Sequence, residues 1–167
     1  MAELCRRNAE SNGFSERVQV VHSDIRNLIP QAPKFYDGVI FNPPYQRLGE
    51  GRSAKNPVID KARREVVGQL DDFVRVALEQ LTHDGHAHTI LPMRRHQELV
   101  EVIEAQQGGL VRRRVICARE NVTPRYFLAT FGRQESLSHE EPPLVVHEGS
   151  GFAPEVAGWL GEVSSEA

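Results

Sequence analysis

Apolar positions repeat with two different periods along this chain, and the two periods predict different elements. Over residues 70–81 they recur at i, i+3, i+4, i+7, i+8 and i+11, which is typical of an amphipathic helix. These positions are Leu70, Phe73, Val74, Ala77, Leu78 and Leu81. Residues 38–41 (GVIF) instead form one continuous short apolar run, which favours a strand that is buried on both faces of a parallel sheet.

The same reasoning extends to the rest of the chain. It predicts helices over residues 2–12, 94–107 and 153–161, and strands over residues 18–21, 86–91, 110–117 and 125–131. A turn at Asp84-Gly85 is expected to precede the strand 86–91. The last two strands are joined by too few residues for a crossover helix, so we expect them to pair antiparallel. The order of elements predicts an α/β fold with a parallel sheet and an antiparallel hairpin at its C-terminal edge.

Composition and charge narrow the class of protein. The 167 residues are 40% hydrophobic and 26% charged, as in ordinary globular domains. The formal net charge is −3, so any site for a polyanion must be local. Cys5 and Cys117 form no CxxC motif, and the N-terminus lacks the apolar segment of a signal peptide. No apolar run approaches the length of a membrane span, and we expect a cytoplasmic protein.

The strand 38–41 leads directly into Asn42-Pro43-Pro44-Tyr45. Ligands of open α/β sheets bind beyond the carboxyl ends of the strands, and the prolines stiffen the turn so that nearby carbonyl groups keep a fixed direction. The Asn42 side-chain oxygen and the Pro43 carbonyl suit the two N–H bonds of a planar amine, and Tyr45 suits stacking on its ring. The alternative is an ordinary strand-to-loop turn with a packed tyrosine.

These four residues resemble motif IV of S-adenosylmethionine-dependent amino-methyltransferases, which act on adenine N6, a glutamine amide or guanine N2. Flanking segments resemble the bacterial valine-tRNA adenine-N6 methyltransferase group, although that group commonly has histidine where this chain has Arg64. The flanking segments are Ala62-Arg63-Arg64-Glu65, Leu70-Asp71-Asp72, His83-Asp84-Gly85, Pro142-Pro143-Leu144-Val145-Val146-His147 and Phe152-Ala153-Pro154-Glu155-Val156. The resemblance implies a Rossmann-like class I methyltransferase sheet in residues 1–133, with residues 134–167 as a C-terminal extension packed on the same domain.

The resemblance also implies roles for individual residues. Asn42, Pro43, Pro44 and Tyr45 would be catalytic, and S-adenosylmethionine would be held by Asp24, Ile25 and Asn42. The substrate would be adenine N6 in the anticodon loop of a tRNA. Basic residues after the motif would contact RNA phosphates, with a solvated loop as the alternative; they are Arg47, Arg52, Lys55, Arg63 and Arg64.

Parts of the family pattern do not occur in these residues. No GxGxG is present, and the first two strands of the family sheet have no counterpart. We expect an N-terminally truncated chain; the alternatives are strands supplied by a partner or second copy, or a non-catalytic RNA-binding remnant. A release-factor glutamine N5-methyltransferase, which would use the same tetrapeptide, is the alternative activity.

Two other groups of residues are interpreted as structural. His83, His86 and His88 lie close in sequence but no cysteine or carboxylate cluster joins them, so we expect no metal site. Arg112, Arg113 and Arg114 point to alternate faces of a predicted strand, which indicates a solvated strand edge.

Overall fold

The computed structural model describes residues 1–28, 35–45, 68–133 and 139–161. In those ranges the helices and strands follow one another along the chain. They are α1 (Ala2–Ser11), β1 (Tyr36–Phe41), α2 (Leu70–Gln80), β2 (Leu81–Pro92), α3 (His96–Ala105), β3 (Gly109–Cys117), β4 (Tyr126–Gly132), β5 (His139–Val145), β6 (His147–Glu148), β7 (Gly151–Phe152) and α4 (Pro154–Leu160). Short 3-10 turns span Ile25–Asn27 and Met93–Arg95. None of the helices in the described ranges has the length and apolar character to cross a membrane.

Within the described residues, five strands form one mixed sheet in the order β1-β2-β4-β3-β5. β1 is parallel to β2, and β5 is parallel to β3. β4 is antiparallel to both of its neighbours, β2 and β3. The predicted α/β class and the antiparallel pairing of the last two predicted strands are confirmed. β5 was not predicted, and it lies outside the hairpin, so β3 has neighbours on both sides.

The hydrophobic core lies between the sheet and the pair of helices α2 and α3. The periodicity of residues 70–81 is confirmed, because five of its six apolar side chains are buried and Phe73 is partly buried. α2 is started by a cap, in which the Gln69 backbone N–H donates to Asp72 Oδ2 at 2.8 Å. Leu99 and Ile103 of α3 are buried, as expected.

The prediction of a strand over residues 18–21 is wrong. These residues have no strand assignment and pair with no other strand in the described part of the chain. Val18 is 47% exposed and Val21 is 61% exposed. A β-rich segment becomes a strand only when a neighbour takes up its backbone N–H and C=O groups, and β1 pairs only with β2 in the described residues.

The predicted turn at Asp84-Gly85 is also wrong, because both residues lie inside the continuous strand β2. A Cβ atom at Gly85 would lie 2.7 Å from the backbone oxygen of Tyr36 on the neighbouring strand. Glycine at this position therefore allows the backbones of β1 and β2 to approach closely, and it does not mark a reversal of the chain.

The arginines of β3 do not form a solvated edge. Arg112 and Arg113 reach glutamates of β5, with distances of 3.1 Å from Arg112 Nη1 to Glu141 and 2.6 Å from Arg113 Nη2 to Glu140. Arg114 makes two 2.6 Å bonds to the carboxylate of Glu155 on α4. The arginines thus join the C-terminal elements to the sheet.

Candidate active site at the carboxyl end of β1

The Asn42-Pro43-Pro44-Tyr45 turn begins where β1 ends in the core. The Phe41 ring stacks on Phe73 of α2, with centroids 5.9 Å apart, and meets Phe131 edge-on at 6.0 Å. Pro43 and Pro44 are buried, whereas Asn42 is exposed. The apolar side chains on either side of Asn42 therefore anchor the turn and leave the amide at the surface.

A buried arginine fixes the turn from the next strand-to-helix junction. Arg95 is 3% exposed. It donates from Nη1 to the Pro44 carbonyl oxygen at 2.8 Å. Its Nε and Nη2 donate to the two carboxylate oxygens of Glu98, at 3.0 and 2.7 Å. A planar guanidinium bound on two sides holds the Pro44 carbonyl in one direction.

Tyr45 is held by contacts from the same junction. Arg94 Nη2 donates to the Tyr45 carbonyl oxygen at 2.8 Å. The Tyr45 ring lies beside Tyr126, the first residue of β4, with centroids 5.9 Å apart and planes tilted by 50°. The Met93 N–H donates to the carbonyl oxygen of Arg125 at 2.9 Å, which ties the start of β4 to this junction.

The Tyr45 phenol and the Asn42 side chain interact within the turn. Burial raises the pKa of Tyr45 above its ordinary value, while a hydrogen bond with the Asn42 side chain lowers it and Tyr126 raises it. A hydrogen bond that lowers the pKa of a phenol is one donated to its oxygen. The Asn42 and Tyr45 side chains of the turn are therefore close enough to interact.

Asp24 and Ile25 lie beside the N-terminus of α2. Asp24 caps the 3-10 turn by accepting from the Arg26 N–H at 3.0 Å, and it pairs with the Arg26 guanidinium at 2.6 Å. A Cβ at Gly68 would lie 2.6 Å from Ile25 Cγ2 and 3.3 Å from the Phe73 ring. Gly68 therefore lies against both Ile25 and Phe73. Because Phe73 stacks on Phe41, the residue before Asn42, Ile25 and the Asn42 turn lie at the same end of the sheet.

A cavity of about 310 Å³ borders Asn42 on the sheet face opposite α2 and α3. Its walls include Ile40, His88, Arg112 and Thr130. His88 Nδ1 lies 3.1 Å from Thr130 Oγ1. Burial and the nearby Arg112 and His86 charges lower the pKa of His88, so the wall next to Asn42 favours an uncharged imidazole.

Comparisons with known proteins agree with this geometry. No protein-family model matches the chain. A curated tRNA1(Val) (adenine(37)-N6)-methyltransferase from Aliivibrio fischeri is 24% identical over 152 residues, covering 91% of this chain and 63% of that protein. One of the same name from Pedobacter heparinus is 32% identical over 106 residues, covering 62% of this chain and 43% of that protein. The chain spans less than two thirds of the length of these relatives.

A solved structure decides the fold. The crystal structure of a protein described as a predicted O-methyltransferase from Agrobacterium tumefaciens superposes with a TM-score of 0.69, at 21% identity, over 96% of this chain and 72% of that chain. The chain has a methyltransferase fold. The predicted fold class is confirmed, and the resemblance to the valine-tRNA adenine-N6 methyltransferases is confirmed by the names of the relatives.

The described residues fit part of an S-adenosylmethionine site in this methyltransferase fold. Asp24 would supply a carboxylate acceptor for an adenine edge, and the half-buried Ile25 would supply an apolar surface for its face. The carboxylate is oriented by Arg26, because backbone and side-chain bonds from that one residue both reach it. These residues are therefore compatible with binding the adenosine part of the cofactor.

The basic residues predicted to contact RNA lie outside the described residues. They are Arg47, Arg52, Lys55, Arg63 and Arg64. Across residues 1–28, 35–45, 68–133 and 139–161, no group of three His, Cys, Asp or Glu side chains could hold a metal ion.

Sequence reasoning missed the residues that hold the turn from across the fold, namely Arg94, Arg95, Glu98 and Tyr126. A signal for two of them was present, because Pro92-Met93-Arg94-Arg95 follows the strand next to β1 and so reaches the same sheet edge. The contact of Arg95 with Pro44 joins residues 51 positions apart, which no local pattern indicates.

Proposed function

We propose that this protein transfers a methyl group from S-adenosylmethionine to the exocyclic N6 of an adenine in tRNA. The exposed Asn42 amide carries the proposal, because it lies at the carboxyl end of β1 on a turn held by Arg95, where its oxygen can accept from a substrate amine. The printed names of the curated relatives support adenine N6 of tRNA as the acceptor.

The residues of the turn would act by orienting and polarising the amine. The Asn42 side-chain oxygen and the Pro43 carbonyl accept its two N–H bonds, which localises the nitrogen lone pair and stabilises the positive charge that develops during transfer. S-adenosylmethionine supplies an electrophilic methyl group when it is bound. A general base is not required before transfer, because the proton can leave the nitrogen afterwards.

Pro44 and Tyr45 have supporting parts in this proposal. The buried Pro44 carbonyl is fixed by Arg95, so the turn keeps one shape with or without substrate. Such preorganisation keeps the acceptor oxygens in place at the moment of transfer. The Tyr45 ring stacks on the adenine, and its hydroxyl orients the Asn42 amide.

An Asn42→Ala variant tests the catalytic role. We expect turnover on total tRNA with methyl-labelled cofactor to fall by about 10²–10³-fold, the usual cost of losing one such charge-stabilising group. The midpoint of thermal unfolding should stay close to that of the wild type, because Asn42 is exposed. Asn8→Ala, at an exposed position of α1, is the matched control and should methylate normally.

The same assay separates the alternative activities. Label that enters release factor rather than tRNA would assign the glutamine N5-methyltransferase activity. A wild-type protein that binds RNA in a salt-dependent way but shows no cofactor binding by calorimetry would identify a non-catalytic RNA-binding module. Wild-type-like turnover by Asn42→Ala would remove the mechanism itself.

We also propose that a partner or second copy of the chain completes the sheet at β1. In the described residues β1 pairs only with β2, and Ile40 on this strand is 85% exposed. Open strand edges favour pairing with another chain. Light scattering on the purified chain should then show a dimer that Ile40→Lys converts to monomer, and a wild-type monomer would contradict the proposal for a second copy.

A further inference from the structure

Arginines at the Asn42 end of the sheet differ from the other sheet arginines in their partners. On β3, Arg112, Arg113 and Arg114 are each within 4.0 Å of a glutamate carboxylate. Arg94 and Arg125 have no ion pair within the described residues, and Arg94 donates only to a backbone carbonyl there. Both are exposed, and no carboxylate of the described residues forms an ion pair with either of them.

Arg94 and one aromatic ring, that of Tyr126, contact the proposed base-binding turn, and Arg125 lies next to Tyr126 in the chain. Arg94 is bonded to the Tyr45 carbonyl at 2.8 Å. Arg125 precedes Tyr126, whose ring centroid is 5.9 Å from that of Tyr45. Tyr126 is 38% exposed, which leaves part of its ring open to a ligand. We name Arg94, Arg125 and Tyr126 the arginine rim.

We propose that the arginine rim binds the single-stranded RNA next to the target adenine, with Arg94 and Arg125 on phosphates and Tyr126 against a flanking base. This inference rests on the proposed function, because it takes the adenine at Asn42 to be part of an RNA. Unpaired RNA is bound by cations that follow the backbone and by aromatic side chains on which bases stack. The rim offers both cations and an aromatic ring. Arg94 and Tyr126 contact Tyr45 directly, and Arg125 is the residue before Tyr126.

The rim also distinguishes RNA from a protein substrate. A peptide carrying a glutamine amide has no phosphate groups to match two exposed guanidiniums. The backbone of an unpaired loop carries one negative charge per nucleotide, and it stays close to any base that is turned outward. Two exposed arginines beside the turn therefore fit a polyanionic RNA substrate better than a neutral peptide substrate.

Binding of a fluorescein-labelled stem-loop RNA with unpaired adenines, measured by anisotropy, tests the rim. The full 167-residue chain is compared with Arg125→Gln, the double variant Arg94→Gln/Arg125→Gln, and Tyr126→Leu. At about 0.1 M salt each lost phosphate contact should raise Kd about fivefold and lower the slope of log K against log salt by about 0.7. Tyr126→Leu should raise Kd without changing that slope.

Arg133→Gln is the matched control. Arg133 is also exposed and also donates to backbone carbonyls, those of Leu78 and Glu79, but it follows β4 at the opposite end of the sheet. The control should bind RNA like the wild type. In the methylation assay, Arg125→Gln should raise KM for tRNA by a similar factor and leave kcat within about twofold.

The possible outcomes separate the two proposals. If the wild type binds RNA in a salt-dependent way, and Arg125→Gln and the double variant bind it equally well, the proposal for the rim is wrong and the proposed function still stands. An equal loss with Arg133→Gln would also overturn it, because the effect would then be one of net charge. A wild type that binds no RNA would overturn both proposals.

Discussion

At the scale of single residues, the proposed chemistry depends on the exposed amide of Asn42 and on its interaction with the Tyr45 side chain. An amide can present either its oxygen or its NH2 group to a ligand. The proposed chemistry uses the oxygen, which accepts an N–H bond of the substrate amine. The Tyr45 hydroxyl is partly buried, which disfavours its ionised form.

This interaction gives a prediction for tyrosine titration. Burial raises the pKa of Tyr45 and the Asn42 bond lowers it, so Asn42→Ala should move the Tyr45 pKa further upward. Ultraviolet absorbance of the phenolate, with Tyr45→Phe used to assign the step that belongs to Tyr45, measures this change. A Tyr45 step that shifts downward or stays unchanged in Asn42→Ala would show that the amide donates no bond to the phenol.

At the scale of elements, the junction between β2 and α3 determines the shape of the turn after β1. The carboxyl ends of two neighbouring parallel strands meet there, and the first residues of each following segment contact the other. The Arg95 guanidinium lies between Glu98 on its own helix and Pro44 on the neighbouring turn. Removing one member of a buried ion pair is strongly destabilising, because the remaining charge stays buried without an opposite charge beside it.

Stability measurements on two arginine variants test this role. Arg95→Met should lower the free energy of unfolding by about 3 kcal/mol, since it leaves Glu98 and the Pro44 carbonyl without the guanidinium. Arg75→Met, which breaks the exposed Arg75–Glu79 pair on α2, is the matched control and should cost less than about 1 kcal/mol. Equal costs in urea unfolding would show that Arg95 does not anchor the turn.

At the scale of the whole molecule, the C-terminal segment extends the sheet and covers part of β3. β5 pairs with β3 along its length, and its glutamates face the β3 arginines. Arg114 joins the sheet to α4 by its hydrogen bonds with Glu155, and these bonds lower the pKa of the Glu155 carboxyl. We propose that residues 134–167 are a C-terminal extension that folds together with the methyltransferase domain in residues 1–133.

Two shortened chains test that proposal. A chain ending at Arg133 should unfold at a lower urea concentration, because β3 loses its backbone pairing with β5 and its three arginines lose their glutamates. A chain ending at Val146 keeps β5 and should retain most of the lost stability. If the chain ending at Arg133 were as stable as the full chain, residues 134–167 would not be part of the folded unit.

Contiguous patterns in the sequence determined a large part of this structure. The helix period of residues 70–81 depends on neighbours within one face of one element, and its buried residues agree with the prediction. The Asn42-Pro43-Pro44-Tyr45 turn is also local, because a strand, an amide and two prolines are adjacent in the chain. The placement of this turn at a carboxyl strand end therefore followed from sequence.

Only the tertiary structure decided which segments pair as strands of the sheet. Residues 18–21 have strand-like composition yet form no strand, while the polar segment 139–145, with its two prolines, pairs with β3. Pairing depends on whether a distant strand presents unpaired backbone groups, and propensity within a segment does not contain that information. The contact of Arg95 with Pro44 has the same origin, because parallel neighbours bring residues 51 positions apart to one edge of the sheet.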